Sequence, residues 1–278
     1  MGTEKFKTVV PLLRCPVCGG TMEEKEHASL VCALGHCFDL AKKGYVNFAP
    51  QKRHGPYGAA LFESRQRAFR AGFYDMPLTA LCEAAARHIK NTQPALLDAG
   101  CGEGFYALGL KRYFGASSRV IGFDLEKEAV RIAARGNNDV AWLVADMTRL
   151  PLQDACFDAV FNVFSPAAYA EFKRVLKPGG VIVKAVPGER YLIEIRQAAQ
   201  EKLKSGAYSP ARVSEHFKAH WSVLEQFRIT ETLPVAPEQL KDFLALTPML
   251  FNVDTEKLST EHIKEITIDV EIMVGASA

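Results

Sequence analysis

The segment LLDAGCGEGFY, residues 96–106, combines residue types that could bind a small charged ligand. Gly100, Gly102 and Gly104 permit a sharp turn and a close approach of the backbone to that ligand. Asp98 lies just before the turn, where a carboxylate suits a cationic amino acid and repels a pyrophosphate. The segment therefore predicts a pocket for a sulfonium compound.

The same glycines fit the dinucleotide pattern G-x-G-x-x-G imperfectly. Starting from Gly102, the position of the third glycine holds Ala107, and starting from Gly100 it holds Phe105. Alanine is sometimes tolerated at that position, whereas phenylalanine is not. The pattern therefore favours a sulfonium over NAD.

Two further aspartates stand at the ends of the next two predicted strands. Asp124 closes the first of them, where an acidic side chain can bind both ribose hydroxyls. Asp146 follows the second and is placed to reach the adenine amino group. Each aspartate alone could simply cap a helix. Together, and in this order, they predict a site for S-adenosylmethionine.

Four of the seven cysteines crowd into one short N-terminal stretch, which indicates metal binding rather than disulfides. Cys15 and Cys18 form a C-x2-C pair, and Cys32 follows after 13 intervening residues. Either His36 or Cys37 could supply the fourth ligand. Such a set suits a tetrahedral, structural Zn²⁺ ion, which would hold together a segment with little apolar core of its own.

The elements that must position these residues alternate between short apolar runs and helical patterns, which predicts βαβ units on a parallel sheet. Strands are expected at 95–99, 119–124, 140–145, 158–164 and 180–186, with 225–232 and 265–274 extending the sheet at its edge. Helices are expected at 60–72, at 75–90, from 190 to about 205, and after Pro237. We predict an α/β fold with a Rossmann-like, mostly parallel seven-stranded sheet and a small N-terminal zinc-ribbon-like domain. The expected divisions are a module at 1–50, a basic linker with helices at 51–90, and a catalytic domain at 91–278.

The net charge of +2 is too small to indicate a nucleic-acid-binding protein, but the charge is unevenly spread. Residues 1–90 carry 13 basic and 8 acidic side chains, and residues 41–73 carry seven and one. This stretch could follow RNA phosphates, or it could be a solvated helix face. No apolar run is long enough to cross a membrane, and the N-terminus lacks a signal-peptide core, so a cytoplasmic location is expected.

Four strings carry a family resemblance, and they run in the order CPVCGG, VCALGHCFDLAKKGYVNFAP, AFRAGFYDMPL and LLDAGCGEGFY. Together they resemble the 23S ribosomal RNA guanine-N(1)-methyltransferases of the RlmA and TlrB type. The resemblance implies a class I methyltransferase fold, S-adenosylmethionine, a structural Zn²⁺ ion, a hairpin of 23S ribosomal RNA as substrate, and a homodimer.

The resemblance also assigns residues. It implies that Cys15, Cys18, Cys32 and His36 bind the metal. It implies that the cofactor lies against Tyr74, Asp98, Gly100, Gly102, Gly104, Tyr106, Ala107, Asp124, Asp146, Met147 and Tyr191.

The residues that handle the substrate are less well defined. Guanine N1 must lose its proton, and the sequence identifies no acceptor, so the catalytic residue is unknown. The loop after the fourth predicted strand lacks the tetrad of amino-group methylases and offers Asn162, Ser165 and Tyr169 to hold the base. We expect the zinc module and the basic stretch from Lys42 to Arg70 to grip the RNA, with Lys42, Lys43, Lys52 and Arg53 as its candidate contacts.

Two other functions are compatible with parts of the sequence. A small-molecule methyltransferase of the quinone-biosynthesis type would share the glycine turn but would not need a zinc ribbon. A non-catalytic RNA-binding assembly factor would not need an intact turn with Asp98 and Asp124.

Overall fold

The computed structural model describes residues 4–25, 29–49, 58–135, 139–200, 209–247, 250 and 253–277. The strands in this part of the chain are β1 (Met22–Lys25), β2 (Ser29–Cys32), β3 (Cys37–Asp39), β4 (Tyr45–Asn47), β5 (Ala95–Ala99), β6 (Arg119–Asp124), β7 (Ala141–Val144), β8 (Phe157–Val163), β9 (Leu176–Pro187), β10 (Ser222–Pro234) and β11 (Glu265–Ala276). The α-helices are α1 (Glu4–Val9), α2 (Ala59–Arg70), α3 (Asp75–Ala86), α4 (Phe105–Phe114), α5 (Lys127–Ala133), α6 (Tyr169–Val175), α7 (Ile193–Ala198), α8 (Ala211–His220) and α9 (Pro237–Leu246).

The main sheet has the strand order β10-β11-β9-β8-β5-β6-β7-β4. The six strands from β9 to β4 in this order run parallel. At one edge β11 pairs antiparallel with β9, and β10 pairs antiparallel with β11. This arrangement confirms the Rossmann-like sheet and the two predicted edge strands. Because β5 has β6 on one side and β8 on the other, the glycine turn after β5 lies where the strand order reverses, as ligand sites in such folds do.

The sheet has eight strands in the described residues, so the expected number of seven was one too low. The extra strand is β4, which lies within the predicted 1–50 module and pairs in parallel with β7 through Tyr45 and Trp142, Val46 and Leu143, and Asn47 and Val144. Three residues are too few to show a periodic pattern, which is why sequence reasoning missed this strand.

Both faces of the sheet are covered, and alternate residues of β5 belong to two different apolar clusters. Leu96 packs with α3 and α4 residues, whereas Leu97 lies in a second cluster. That second cluster includes Phe6 and Leu13 from the N-terminal segment, and both are fully buried. The N-terminal segment thus supplies part of the core of the main sheet.

Helix α2 lies between α9 and α5. Arg67 donates to both oxygens of Asp242 on α9, with Nε 3.0 Å from each oxygen and Nη2 2.6 Å from Oδ1. On the other side, Phe62 packs against Ala129 and Ile132 of α5. These contacts hold α2 beside the glycine turn.

Some element ends differ from prediction. Strand β9 begins at Leu176 rather than at 180, because Leu176 pairs with Phe157 ahead of a register shift. Helix α7 ends at Ala198, and residues 201–205, the last part of the helix expected there, lie outside the described residues. Over the part of the chain that the structure describes, no helix has the length and apolar character needed to span a membrane.

Candidate active site and metal centre

The turn after β5 has the left-handed backbone that its glycines permit. The φ angles of Gly100, Gly102 and Gly104 are +79°, +54° and +89°. A Cβ atom on Gly104 would lie 2.5 Å from Trp142 Cη2, and one on Gly100 would lie 2.1 Å from Ser165 Oγ. The turn is therefore wedged between β7 and the loop that follows β8.

Asp124 ties the turn to β6. Its Oδ2 accepts a hydrogen bond from the N–H of Gly102 and its Oδ1 accepts one from the N–H of Glu126, both at 2.9 Å. The side chain is half-buried, and each oxygen keeps a further lone pair for a ligand. This position at the strand end is compatible with the predicted contact to ribose.

Asp98 is a buried carboxylate that lacks a full set of partners. It is 1% exposed, and among the described residues its Oδ2 has no hydrogen-bond partner. Burial raises the pKa of Asp98 to about 7, the N–H of Ala107 opposes that rise, and repulsion by Asp124 and Glu103 adds to it. A buried, unsatisfied carboxylate oxygen fits a cationic ligand, because a positive group would supply the missing partner.

Two further charged residues, one acidic and one basic, lie near Asp98 and Asp124 and were missed by sequence reasoning. Glu103 is 3% exposed, and burial raises its pKa. Arg65 of α2 lies with Nε 3.2 Å from Glu103 Oε1, and its guanidinium faces Gly102. Within the basic stretch from Lys42 to Arg70 that we expect to grip RNA, Arg65 faces the turn and Arg67 is paired with Asp242.

The residues predicted to contact adenine follow β7. Asp146 is half-buried, and its Oδ1 accepts hydrogen bonds from the N–H (2.9 Å) and Oγ1 (2.7 Å) of Thr148. Met147 lies beside the glycine turn, with its Cε 3.7 Å from a Cβ built on Gly100.

The three predicted tyrosines come together although they are distant in sequence. The hydroxyls of Tyr74 and Tyr191 are hydrogen-bonded at 2.7 Å. Phe69 contacts both Tyr74 and Tyr106, with ring centroids 4.9 Å and 6.0 Å apart. The Tyr106 hydroxyl is buried, and within the described ranges it has no hydrogen-bond partner. Burial raises the pKa of Tyr74, Tyr106 and Tyr191, so all three are neutral hydrogen-bonding groups.

A cavity of about 600 Å³ adjoins the turn through Ser165. Its aromatic wall consists of Phe69, Tyr74, Phe164, Tyr169 and Tyr191. Its basic side chains are Arg65, Lys184, Arg196 and His216. The cavity thus combines aromatic faces with positive groups and has no carboxylate among its described lining residues.

The three residues suggested for holding the base differ in their surroundings. Ser165 and Tyr169 line the cavity. Asn162 is fully buried, and its Nδ2 donates to the carbonyls of Ala99 (3.2 Å) and Pro166 (2.8 Å). Its amide therefore links the glycine turn to the loop after β8 and is not available to hold a base. That part of the expectation was wrong, because the sequence does not show where the amide points.

The predicted metal ligands lie together in the N-terminal module. The Sγ atoms of Cys15, Cys18 and Cys32 and a ring nitrogen of His36 all lie within 4.8 Å of one another. The Sγ atom of Cys32 lies 3.3 Å from His36 Nδ1 and 3.6 Å from Cys18 Sγ. In a tetrahedral zinc site with bonds of about 2.0 to 2.3 Å, ligand atoms lie about 3.3 to 3.8 Å apart, so this donor set fits Zn²⁺.

Cys37, the alternative fourth ligand, is exposed and contacts Asp39 instead. The turns of the two ligand pairs contain Gly19 and Gly35, whose φ angles are +75° and +80°. With four protein ligands and no open position, the ion would stabilise the module without acting in catalysis.

The predicted RNA contacts are only partly visible. Lys42 and Lys43 are exposed in the turn between β3 and β4. Lys52 and Arg53 lie outside the described residues.

Two family models match the chain. One described as "RlmA, N-terminal" matches residues 13–54, and one described as "Methyltransferase domain" matches residues 96–180. These matches identify the main sheet as an S-adenosylmethionine-dependent methyltransferase domain and the N-terminal module as a zinc ribbon.

Similar proteins extend this assignment to nearly the whole chain. The chain is 36% identical to YxjB, a candidate 23S rRNA (guanine-N(1)-)-methyltransferase of Bacillus subtilis, over 95% of this chain and 96% of that protein. It is 29% identical to the 23S rRNA (guanine(748)-N(1))-methyltransferase of Streptomyces fradiae, over 96% and 98%. One similar fold occurs in the complex between the Haloferax volcanii Trm112 methyltransferase activator and a methyltransferase, with a TM-score of 0.51, 23% identity, and 81% and 99% coverage. By its similarity to these relatives over nearly its full length, the chain belongs to the 23S rRNA (guanine-N(1)-)-methyltransferase family.

Proposed function

We propose that this protein methylates N1 of a guanine in a hairpin loop of 23S ribosomal RNA, with S-adenosylmethionine as the methyl donor, and that it acts as a homodimer. One observation carries the proposal: an aromatic, positively charged cavity adjoins the glycine turn of a methyltransferase domain. A flipped guanine would stack on the aromatic rings, and the positive groups suit an RNA substrate. The names of the relatives support guanine N1 as the target.

The cofactor supplies a methyl group activated by a positively charged sulfur atom. Asp98 with the three glycines would hold its methionine part, Asp124 its ribose, and Asp146 with Met147 its adenine. Tyr74, Tyr106, Ala107 and Tyr191 would complete the walls. The contribution of these residues is mainly alignment, because a displacement reaction needs the nucleophile in line with the bond that breaks.

The hairpin must also be held while its base leaves the stack, at a cost of a few kcal/mol that is least in a loop. The zinc module presents Lys42 and Lys43 to solvent, and Lys52 and Arg53 follow in the sequence. We assign the grip on the RNA backbone to these four side chains.

The direct test uses unmodified 23S ribosomal RNA and tritiated S-adenosylmethionine. We expect label in RNA and a single primer-extension arrest at one guanine of a hairpin loop. Charge reversal at Lys42, Lys43, Lys52 and Arg53 should weaken RNA binding and flatten its dependence on salt. In a parallel assay with a lipid extract added, label only in the lipid-soluble fraction would favour the small-molecule alternative, and cofactor binding without any label would favour the assembly factor.

Asp98 should make cofactor binding depend on pH. Below a pH of about 7 this carboxylate takes up a proton and loses its attraction for a cation, so affinity should fall by up to about tenfold per pH unit. The folded chain binds this proton more tightly than the unfolded chain does. Ionisation of Asp98 should therefore destabilise the ligand-free protein as pH rises from 3.8 to about 7.

Calorimetric titration with S-adenosylmethionine between pH 5.5 and 8 measures this effect. Asp98→Asn should bind S-adenosylmethionine weakly at every pH. Asp154 is exposed and distant from the turn, so Asp154→Asn should bind like the unaltered protein. An Asp98→Asn chain that keeps the full pH dependence would show that another group is responsible.

A further inference from the structure

Lys184 is a buried lysine on the wall of the cavity. It lies in β9, is 3% exposed, and faces the cavity beside Ser165. Its Nζ donates to Asn162 Oδ1 at 2.5 Å and to the carbonyl of Ser165 at 3.2 Å. An ammonium group has three N–H donors, so one is left for an occupant of the cavity.

This ammonium has no carboxylate partner within 4.0 Å in the described part of the chain. A buried charge without a counter-ion is costly, and it is favourable only where an anion or a strong acceptor approaches it. Such an arrangement is typical of a functional site rather than of a structural ion pair.

The position of Lys184 relative to the glycine turn is fixed through Asn162. The amide nitrogen of Asn162 donates to the carbonyl of Ala99, the residue that precedes Gly100, and its oxygen accepts from Lys184. Lys184 and the cofactor turn therefore share one rigid link across β5, β8 and β9.

The chemistry of guanine identifies what this donor could do. When N1 loses its proton, the negative charge is shared between N1 and the adjacent O6. We propose that Lys184 donates a hydrogen bond to O6 of the target guanine and stabilises the ring in its N1-deprotonated form. The inference rests on the proposed function and adds a specificity determinant to it, because adenine carries an amino group in place of O6 and would be repelled.

The reaction balances as follows. The N1 proton passes to water, and the N1 lone pair forms the bond to the methyl carbon. The carbon–sulfur bond breaks, and its electron pair stays on sulfur, which becomes neutral. Lys184 keeps its proton throughout and acts by charge and hydrogen bonding, as oxyanion-stabilising groups do.

Burial lowers the pKa of Lys184 to about 8, so its charge is present at neutral pH and is lost above about pH 8. The other titratable groups that face the cavity are Arg65, Tyr74, Tyr169, Tyr191, Arg196 and His216. Deprotonation of guanine favours the reaction as pH rises, whereas loss of the Lys184 charge opposes it. The single-turnover rate should therefore rise with pH and level off near pH 8.

The test compares three variants at saturating S-adenosylmethionine, with methylation read as primer-extension arrest. Lys184→Met should lower the single-turnover rate by about 100-fold. The rate of this variant should keep rising through pH 8. Lys184→Arg keeps the charge, so its single-turnover rate should exceed that of Lys184→Met. Its rate should also not level off near pH 8. Lys177→Met, a change on the same strand that removes a half-buried pair with Asp158 away from the cavity lining, should match the unaltered protein.

Each outcome decides a different claim. If the unaltered protein methylates guanine and Lys184→Met does so equally fast, the role of Lys184 is refuted and the proposed function stands. If the unaltered protein methylates no guanine, the proposed function fails and the inference fails with it. Should Lys184→Met not fold, a Lys184→Arg profile that still levels off near pH 8 would refute the role.

Discussion

Replacing Cys32 by serine is expected to remove the zinc ion, lower the melting temperature of the whole chain and abolish RNA methylation. Structural zinc contributes about 10 to 16 kcal/mol to the folding of small zinc domains, far more than this module could recover from its own small core. The effect should spread beyond the module, because Phe6 and Leu13 pack in one cluster with Leu97 of the main sheet. We therefore expect a single, destabilised unfolding transition.

Cys37→Ser is the matched control. Cys37 is an exposed thiol five residues after Cys32 and lies outside the ligand group, so its replacement should leave the metal content near one ion per chain. Metal analysis and differential scanning calorimetry measure both effects. A Cys37→Ser chain without zinc, beside a Cys32→Ser chain that retains it, would contradict the ligand set.

Gly104→Ala is expected to cost about 2 to 5 kcal/mol of stability and to weaken cofactor binding. The left-handed backbone at φ +89° costs an alanine about 1 to 2 kcal/mol. Its Cβ would also lie 2.5 Å from Trp142 and 2.9 Å from Ala133, and overpacking of this kind costs about 1 to 3 kcal/mol. Since neither neighbour can move freely, the turn itself must shift.

Gly179→Ala separates the two causes. Its φ is +77°, and a Cβ there has nothing within 4 Å, so it should show only the backbone penalty. Urea unfolding gives the stability difference, and titration with S-adenosylhomocysteine gives the affinity. If both variants lose the same stability and neither loses affinity, crowding against Trp142 is not what requires glycine at position 104.

The sequence predicted those parts of the site that depend on local chain chemistry. Closely spaced glycines after an apolar strand indicated the turn, and the C-x2-C pair indicated the metal site, because in both cases neighbouring residues make the site. Arg65 and Glu103 were missed since their pairing joins α2 to the turn, and Arg65 stands in a basic run that resembles an RNA-binding surface.

Lys184, by contrast, is marked by its position in the sequence. It interrupts the apolar run GVIVKAV, and a lysine inside a strand buried on both faces must either be paired or serve a function. Strand β4 left no such signal. Its three residues become a strand only because β7 offers them an unpaired edge.

Because β4 pairs with β7, the N-terminal module and the methyltransferase domain cannot be studied as separate pieces. A shortened chain starting after residue 50 would leave the N–H and C=O groups of β7 open to other molecules and would uncover the apolar side chains beneath Phe6 and Leu13. Unpaired strand edges of this kind form hydrogen bonds with further copies of the same chain. Such a fragment should therefore aggregate and would not be suitable for measuring catalysis.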